Sequence, residues 1–379
     1  MNSCLAVAGA LALTAGALSA ADSGFVNRSG SHLLLNGREF RFSGANVDYV
    51  GLASDSFGQI GSRDAYYPSH FMVDDAFATI GRMNGTVARI WSSASHGCPL
   101  CVEPEPGRFN EGALRQLDYV VYSASQHNVR LILLFVDNWK YYTGGLAQYR
   151  LWFPNRNFYQ DAEVRTAFKR YIATLVNRAN TITRTAYRDD PTIMAWETGN
   201  ELRESTVDWD REIAMYVKSI DRNHLVLNGN DAHGADADRA AIPEIDIVVK
   251  HYYPRGAAPP SMRWDLDHDR MAAVNAGKVF VVGEFGWDKQ NLRMDELKTQ
   301  LKKIENTPEI AGDLYWALRG RKDNKEFMAV PGPRDNGAAD GGWWALYFPG
   351  RTTSLNDEAE MRARVQVLTE HAAAMRAHK

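Results

Sequence analysis

The sequence has 379 residues, with 43 Lys+Arg against 46 Asp+Glu, a formal charge of −3 and a pI near 6.4. That balance gives no field for a polyanion and excludes nucleic acid as a principal partner, while 45% hydrophobic and 23% charged residues exclude a disordered or collagen-like chain. The 10 Trp, 16 Tyr and 15 Phe are the departure from average usage, and they leave two uses open, core filling and stacking on sugar rings.

In chain order, the first twenty residues carry no charged side chain, and the run from Leu5 to Ala20 is short and rich in Ala and Gly. A membrane span needs about 20 strongly apolar residues, so this run reads as a signal peptide with small residues Ser19, Ala20 and Ala21 at its cleavage site. The expectation is a signal over residues 1–21 and one domain over 22–379, secreted to the extracellular space or, in a bacterium, to the periplasm. No later stretch is long and apolar enough to span a bilayer, so no membrane association is expected after cleavage.

The segment GFVNRSGSHLLLNGREF then reads as a β-hairpin with turns near Ser29-Gly30 and Asn36-Gly37, closing the bottom of whatever follows. Eight apolar, β-rich runs come next: 40–47, 87–92, 129–136, 193–200, 224–229, 246–253, 279–286 and 312–318. Most are continuous rather than alternating, as expected for parallel strands buried on both faces. Amphipathic segments separate most of them, with helices predicted over 162–183 and 294–307. Eight strand–helix units predict an α/β fold, a single (β/α)8 TIM barrel, and no GxGxxG after the first strand supports an open dinucleotide-binding sheet instead. Cys98 and Cys101 fall between the second and third strands; in an exported chain a short-loop disulfide is the leading reading, since no second cysteine pair completes a zinc site.

Barrel chemistry gathers at the C-terminal ends of the strands. There the sequence places Arg89 on the second strand, Asp137-Asn138-Trp139 after the third and Asn200-Glu201 after the fourth. His251, Tyr252 and Tyr253 close the sixth, Glu284 the seventh and Trp316 the eighth. Two carboxylates, Glu201 and Glu284, thus face one mouth from opposite sides. Such a pair suits glycoside hydrolysis, provided one stays ionised and the other protonated. Arg89 and Tyr253 would keep one ionised, and a less charged, aromatic-lined wall would keep the other protonated. A structural salt bridge at either glutamate is the alternative use. His70 with Asp74 and Asp75, and His268 in DLDHDR, lack a convergent ligand set, so neither a metal nor a cofactor is expected.

Trp-x-x-x-Asn-Glu at 196–201 and Gly-Glu-Phe-Gly at 283–286, with Arg89, His251-x-Tyr253 and Trp316 in order, resemble the signatures of glycoside hydrolase family 5. LILLFVDNWKYYTGGLAQYRLW (131–152) and the region 158–197 are most similar to the endo-β-1,4-mannanases of that family, and the likeness runs from about residue 24 to 320. The resemblance implies a retaining enzyme with Glu201 as acid/base and Glu284 as nucleophile. It further implies that Asn200 bonds the sugar 2-hydroxyl, that Arg89 and Tyr253 orient Glu284, that His251 lines the site, and that Trp316 is a sugar platform. Asn138, Trp139 and Trp343 are further substrate-binding candidates; Trp343 and Trp344 could equally pack on the C-terminal helix. The implied substrates are mannan, glucomannan or galactomannan and their oligosaccharides, acted on by a monomer. Thr198-Gly199-Asn200-Glu201-Leu202 departs from the usual Leu-Ala-Asn-Glu-Pro, and Asp137 from a more usual Asn, which leaves specificity open. An exo-mannosidase, a transglycosylase, a β-1,4-glucanase and, in another class, an inert sugar-binding barrel remain as alternatives.

Overall fold

The computed structural model describes residues 24–377 except 56, 57, 59, 61–63, 92, 230–235, 254–264, 287–292, 330–344, 354 and 355. The expected signal segment and both Trp343 and Trp344 lie outside the described residues. No helix among the described residues is long and apolar enough to cross a membrane.

The chain opens with three antiparallel strands, β1 (Val26–Ser29), β2 (His32–Leu35) and β3 (Arg38–Glu39), one more than the expected hairpin. The extra strand follows from Asn36-Gly37, whose φ values of 55° and 75° make the two-residue turn that matches strand twist. Strand β4 (Phe42–Val47) then enters the barrel, and a small hairpin, β5 (Ala53–Ser54) and β6 (Ala65–Tyr66), precedes helix α1 (His70–Arg82). Strand β7 (Val87–Ile90), α2 (Glu111–Gln126), β8 (Arg130–Leu134), α3 (Gly145–Trp152), α4 (Ala162–Val176) and β9 (Ile193–Glu197) continue the alternation. The second half is α5 (Val207–Ile220), β10 (Leu225–Leu227), α6 (Ala237–Ala240), β11 (Ile247–Tyr252), α7 (Leu266–Asn275), β12 (Val279–Phe285), α8 (Met294–Glu305), β13 (Ile310–Tyr315) and α9 (Glu358–Ala377). Strands β4 and β7 to β13 pair in parallel and close, β13 returning to β4, so the predicted (β/α)8 barrel is the fold.

Side-chain alternation divides the core in two. On β12, Phe280 and Val282 pack outward against the helices, while Val279 and Val281 fill the barrel interior. Val26 and Leu33 of the N-terminal strands join Phe42, Val87, Ile132 and Ile247 in that interior cluster and close the end away from the mouth. The helices start where the sequence offers caps: Ser69, Asn110, Asp161 and Thr206 each accept a hydrogen bond from a first-turn amide. Helix α4 stops at Val176, seven residues short of the expected 183. The reason is Asn180, whose Oδ1 accepts from Ile182 and Thr183 amides at 2.8 and 3.2 Å and so competes with the helical ladder.

At the rear, His371 ties α9 to the barrel. Its Nδ1 lies 3.0 Å from Glu305 and its Nε2 2.8 Å from Asp313, and only an imidazolium donates from both nitrogens. Burial pulls the ring down, but the two carboxylates outweigh it and raise its pKa. A His whose folded pKa is raised stabilises fully below its unfolded value of about 6.5 and loses that contribution as pH climbs through the folded value. His371→Leu is therefore expected to cost about 3 kcal/mol at pH 5.5, because it takes from two buried carboxylates the cation they share and leaves them Lys302 and the Ser43 hydroxyl, and less at alkaline pH. Urea unfolding at both pH values checks this, and a cost that grows with pH would contradict it.

Candidate active site

Alternation along β7 sets the first residue of the site. Val87 fills the interior and Ala88 and Ile90 face the helices, so Arg89 points inward at the height where the apolar filling ends. It is fully buried, and every terminal nitrogen is engaged. Nε donates to Glu197 Oε2 at 2.6 Å and Nη2 to Glu197 Oε1 at 2.8 Å, a two-pronged grip. Nη2 also reaches Asn200 Oδ1 at 2.8 Å, and Nη1 reaches Glu284 Oε1 at 2.7 Å and Asn46 Oδ1 at 3.1 Å. The guanidinium lies 4.5 Å from the Trp91 ring centre, and Trp316 meets Trp91 edge-on at 4.9 Å.

Glu284 stands opposite, 4% exposed. Its second oxygen accepts from the Tyr253 hydroxyl in a short hydrogen bond. Gly283 makes the place for it: a Cβ there would lie 2.2 Å from Val249 Cγ2 and 2.9 Å from His251 Nε2. Glu201, 6% exposed, has φ at +52°, a left-handed conformation uncommon for glutamate. Flanking bonds from the Asn200 amide to Val136 O (2.7 Å) and from the Leu202 amide to Gly229 O (2.9 Å) hold it there. Glu201 Oε2 accepts from the Trp139 indole at 2.6 Å, and Oε1 lies 2.9 Å from His251 Nδ1. That same Nδ1 is 3.5 Å from Glu284 Oε2.

The structure thus gathers Arg89, Trp139, Asn200, Glu201, His251, Tyr253 and Glu284 at one mouth, with Trp316 beside them. Asn138 joins through its backbone, its amide donating to Asn200 O at 3.0 Å. Trp343 lies outside the described residues. His70 stacks on Tyr119 at 3.5 Å and His268 is exposed on α7, both away from this cluster. The disulfide joins Cys98 and Cys101, and its loop packs with Leu52, Tyr142 and Trp316 at the rim. Glu197 and Asn46 were not among the sequence candidates. Glu197 left a signal, because a glutamate ending an apolar strand has to be paired when buried.

The electrostatics differ from the expected aromatic-lined, weakly charged wall around Glu201. Burial raises it, but His251, the Trp139 N–H and Arg203 outweigh burial and hold it at about 2. Burial pushes Glu284 up to about 8, against Arg89 and with Glu201 adding repulsion. Burial also pushes His251 down to about 4 and Asp137 up to about 7, the latter bridging the Asn200 side chain (2.9 Å) and the Trp139 amide (3.2 Å).

Glu201, His251 and Glu284 offer ligand atoms all within 4.8 Å of one another, the one such group among the described residues. Arg89, 2.7 Å from Glu284, already supplies the cation there and would repel a second. What the arrangement does offer is two carboxyl groups at close range, one salt-bridged to Arg89 and the other bonded by Trp139 and His251 under a smaller pull from Arg203, in a mouth rimmed by Trp91, Trp139 and Trp316.

Comparison with known proteins agrees with this picture. A family profile described as GH family 5 beta-mannosidase-like matches residues 23–158 and 154–256. Mannan endo-1,4-beta-mannosidase 1 of Solanum lycopersicum is 34% identical over 347 residues, covering 79% of this chain and 84% of that one. With mannan endo-1,4-beta-mannosidase 1 of Arabidopsis thaliana the identity is 32% over 271 residues, and the chain spans 63% of that relative's length, less than two thirds. Among solved structures, the endo-beta-1,4-mannanase of Thermotoga petrophila superposes with a TM-score of 0.71 at 26% identity, covering 91% of this chain and 78% of that one. The endo-1,4-beta-mannanase of Rhizomucor miehei gives 0.71 at 26% identity, covering 93% and 99%.

Proposed function

Because the chain belongs to glycoside hydrolase family 5, in its β-mannosidase-like branch, we propose that it cleaves internal β-1,4-mannosidic bonds of mannan, glucomannan or galactomannan with retention of configuration. The observation that carries the proposal is the carboxyl pair. The Glu201 and Glu284 oxygens approach within 4.8 Å. Retaining enzymes hold their carboxyl groups about 5–5.5 Å apart, whereas inverting ones need about 6.5–9.5 Å to admit a water between them.

Glu284 is the nucleophile and Glu201 the acid/base. The charges support this once His251 is considered with them. Glu201 is held low chiefly by a cationic His251, yet burial keeps that ring neutral above about 4. At working pH the chief cation that favoured Glu201⁻ is therefore absent and only the smaller pull of Arg203 persists, while Arg89 remains charged and hydrogen-bonded to Glu284. The pair keeps one proton, and the anion belongs on Glu284. Glu284 then attacks the anomeric carbon as Glu201 gives its proton to the departing sugar oxygen. In the second step Glu201 takes a proton from water, the water oxygen replaces Glu284 on the same carbon, and both carboxyl groups return to their starting forms.

Asn200 spends Oδ1 on Arg89 and one N–H on Asp137, which leaves its other N–H for the sugar 2-hydroxyl. Trp316, set edge-on to Trp91, is the platform for the sugar at the cleavage point. Export fits the apolar run from Leu5 to Ala20 and a polymeric substrate, and N-terminal sequencing of the protein from culture medium tests it.

The activity test is a panel of linear mannan, glucomannan, galactomannan, cellulose and xylan, followed by products from mannohexaose over time. Hydrolysis of the three β-mannans with oligosaccharides in the first minutes is expected. Mannose alone from the start would make the enzyme exo-acting, and turnover of cellulose alone would overturn the substrate.

A further inference from the structure

Three glutamates end in this mouth, two of them on the Arg89 guanidinium, and only Glu201 and Glu284 are needed for the chemistry. Glu197 is fully buried at the end of β9, and both its oxygens are spent on Arg89, at 2.6 and 2.8 Å. That grip has two consequences. It fixes the guanidinium plane, so that Arg89 presents only Nη1 to Glu284, at 2.7 Å, steadied by Asn46 at 3.1 Å. It also cancels most of the positive charge that Glu284 would otherwise feel. A carboxylate clasped by a full, unshared guanidinium is a well-stabilised anion and hence a poor nucleophile.

The groups facing the pair come from six strands or the loops that follow them: Asn46 on β4, Arg89 on β7, Asp137 after β8, Glu197 on β9 with Glu201 and Arg203 after it, Lys250, His251 and Tyr253 on or after β11, and Glu284 on β12. Among them Glu197 is the one anion that touches neither Glu201 nor Glu284 and yet engages the cation on which Glu284 depends.

We propose that Glu197 is a positioning residue, which aims Arg89 at Glu284 through one nitrogen and, by its negative charge, keeps a proton on the Glu201/Glu284 pair at working pH. This rests on the glycoside hydrolase reading above. Removing the charge while keeping the shape favours the ionised form of both neighbours, so both limbs of the bell-shaped kcat/KM profile move to lower pH.

The test is Glu197→Gln and Glu197→Asp, profiled against pH on a mannooligosaccharide, with circular dichroism to confirm folding. Glu197→Gln is expected to move both limbs about one pH unit or more toward acid. Glu197→Asp keeps the charge but is too short to hold both nitrogens. It is expected to leave the limbs in place and to lower kcat about tenfold or more with KM little changed. Folded Glu197→Gln protein with unmoved limbs overturns the charge role, whatever its kcat. Should that variant not fold, Glu197→Asp still decides: a wild-type kcat overturns the positioning role. An infrared titration of carboxyl bands in the substrate-free protein reads the same shift without turnover. The substrate reading fails separately, on wild-type protein that cuts no β-mannan.

Discussion

Glu284→Gln is expected to lower kcat on β-mannan by about 10⁴-fold or more, with the circular dichroism spectrum and unfolding midpoint close to wild type. The reason is chemical: an amide oxygen held by Arg89 and Tyr253 occupies the same volume but forms no glycosyl ester. Glu201→Gln is expected to act differently, although it too abolishes polysaccharide cleavage. Without its proton donor the first step depends on the leaving group, so a dinitrophenyl β-mannoside, whose phenolate needs no proton, should still form the glycosyl-enzyme. That intermediate then accumulates for want of a base, and azide, which needs no deprotonation, should release it as β-mannosyl azide. Mass spectrometry of the trapped protein and the stereochemistry of the azide product separate the two variants. If Glu284→Gln and not Glu201→Gln gave the trapped ester, the two roles would be reversed. If either variant kept wild-type activity on mannan, the pair would not be the reacting pair.

Much of the barrel and part of this site can be read by counting along strands. In VARIWS the period of two that turns Val87 inward also turns Arg89 and Trp91 inward, and on β11 it carries Ile247, Val249, His251 and Tyr253 to one face. The same count fails at the nucleophile. Starting from Val281 inward, it sends Gly283 to the interior and Glu284 out to the helices. The ladder of β12 with β13 shifts register between Val282 and Phe285, and that irregularity brings Glu284 back to the mouth opposite His251. Its place at the end of a strand made it a candidate, and the likeness of Gly-Glu-Phe-Gly to a known signature gave it the nucleophile's role. Glu201 is a similar case, because its left-handed backbone lies beyond the strand where alternation no longer applies. Glu197 was open to counting, since it falls two residues after the inward Ala195, but its partner was not. Which carboxylate takes two nitrogens of Arg89 and which takes one depends on distances across the barrel, and spacing along a single strand carries no such information. The proton distribution was hidden for the same reason: it depends on Trp139 and His251 converging from strands far apart in sequence.

Arg89 itself is where stability and chemistry meet, and Arg89→Met is expected to damage both. The methionine fills much of the volume, so the cost is electrostatic: Glu197 and Glu284 are left buried without their cation. Breaking a buried ion pair from one side costs about 3–5 kcal/mol. The pH dependence follows from the same cause. Burial already raises both carboxyls in the wild type, and without Arg89 their folded pKa values climb further above the unfolded ones, so the folded variant holds more of the protons that the unfolded chain has released. Its stability is then greatest in acid and falls as pH rises through those folded values, by about 1.4 kcal/mol per pH unit for each extra proton held. Urea unfolding at pH 5 and pH 8 should show the variant losing far more stability over that interval than the wild type does. A deficit below about 1 kcal/mol and indifferent to pH would mean that the four-group cluster of Arg89, Glu197, Glu284 and Asn200 adds little to the fold. Activity provides the second readout. At pH 5, where protonation of the two glutamates restores much of the stability, the variant should be folded and still inactive, because the neutral acid that relieves the buried charge is also a carboxyl group unable to attack.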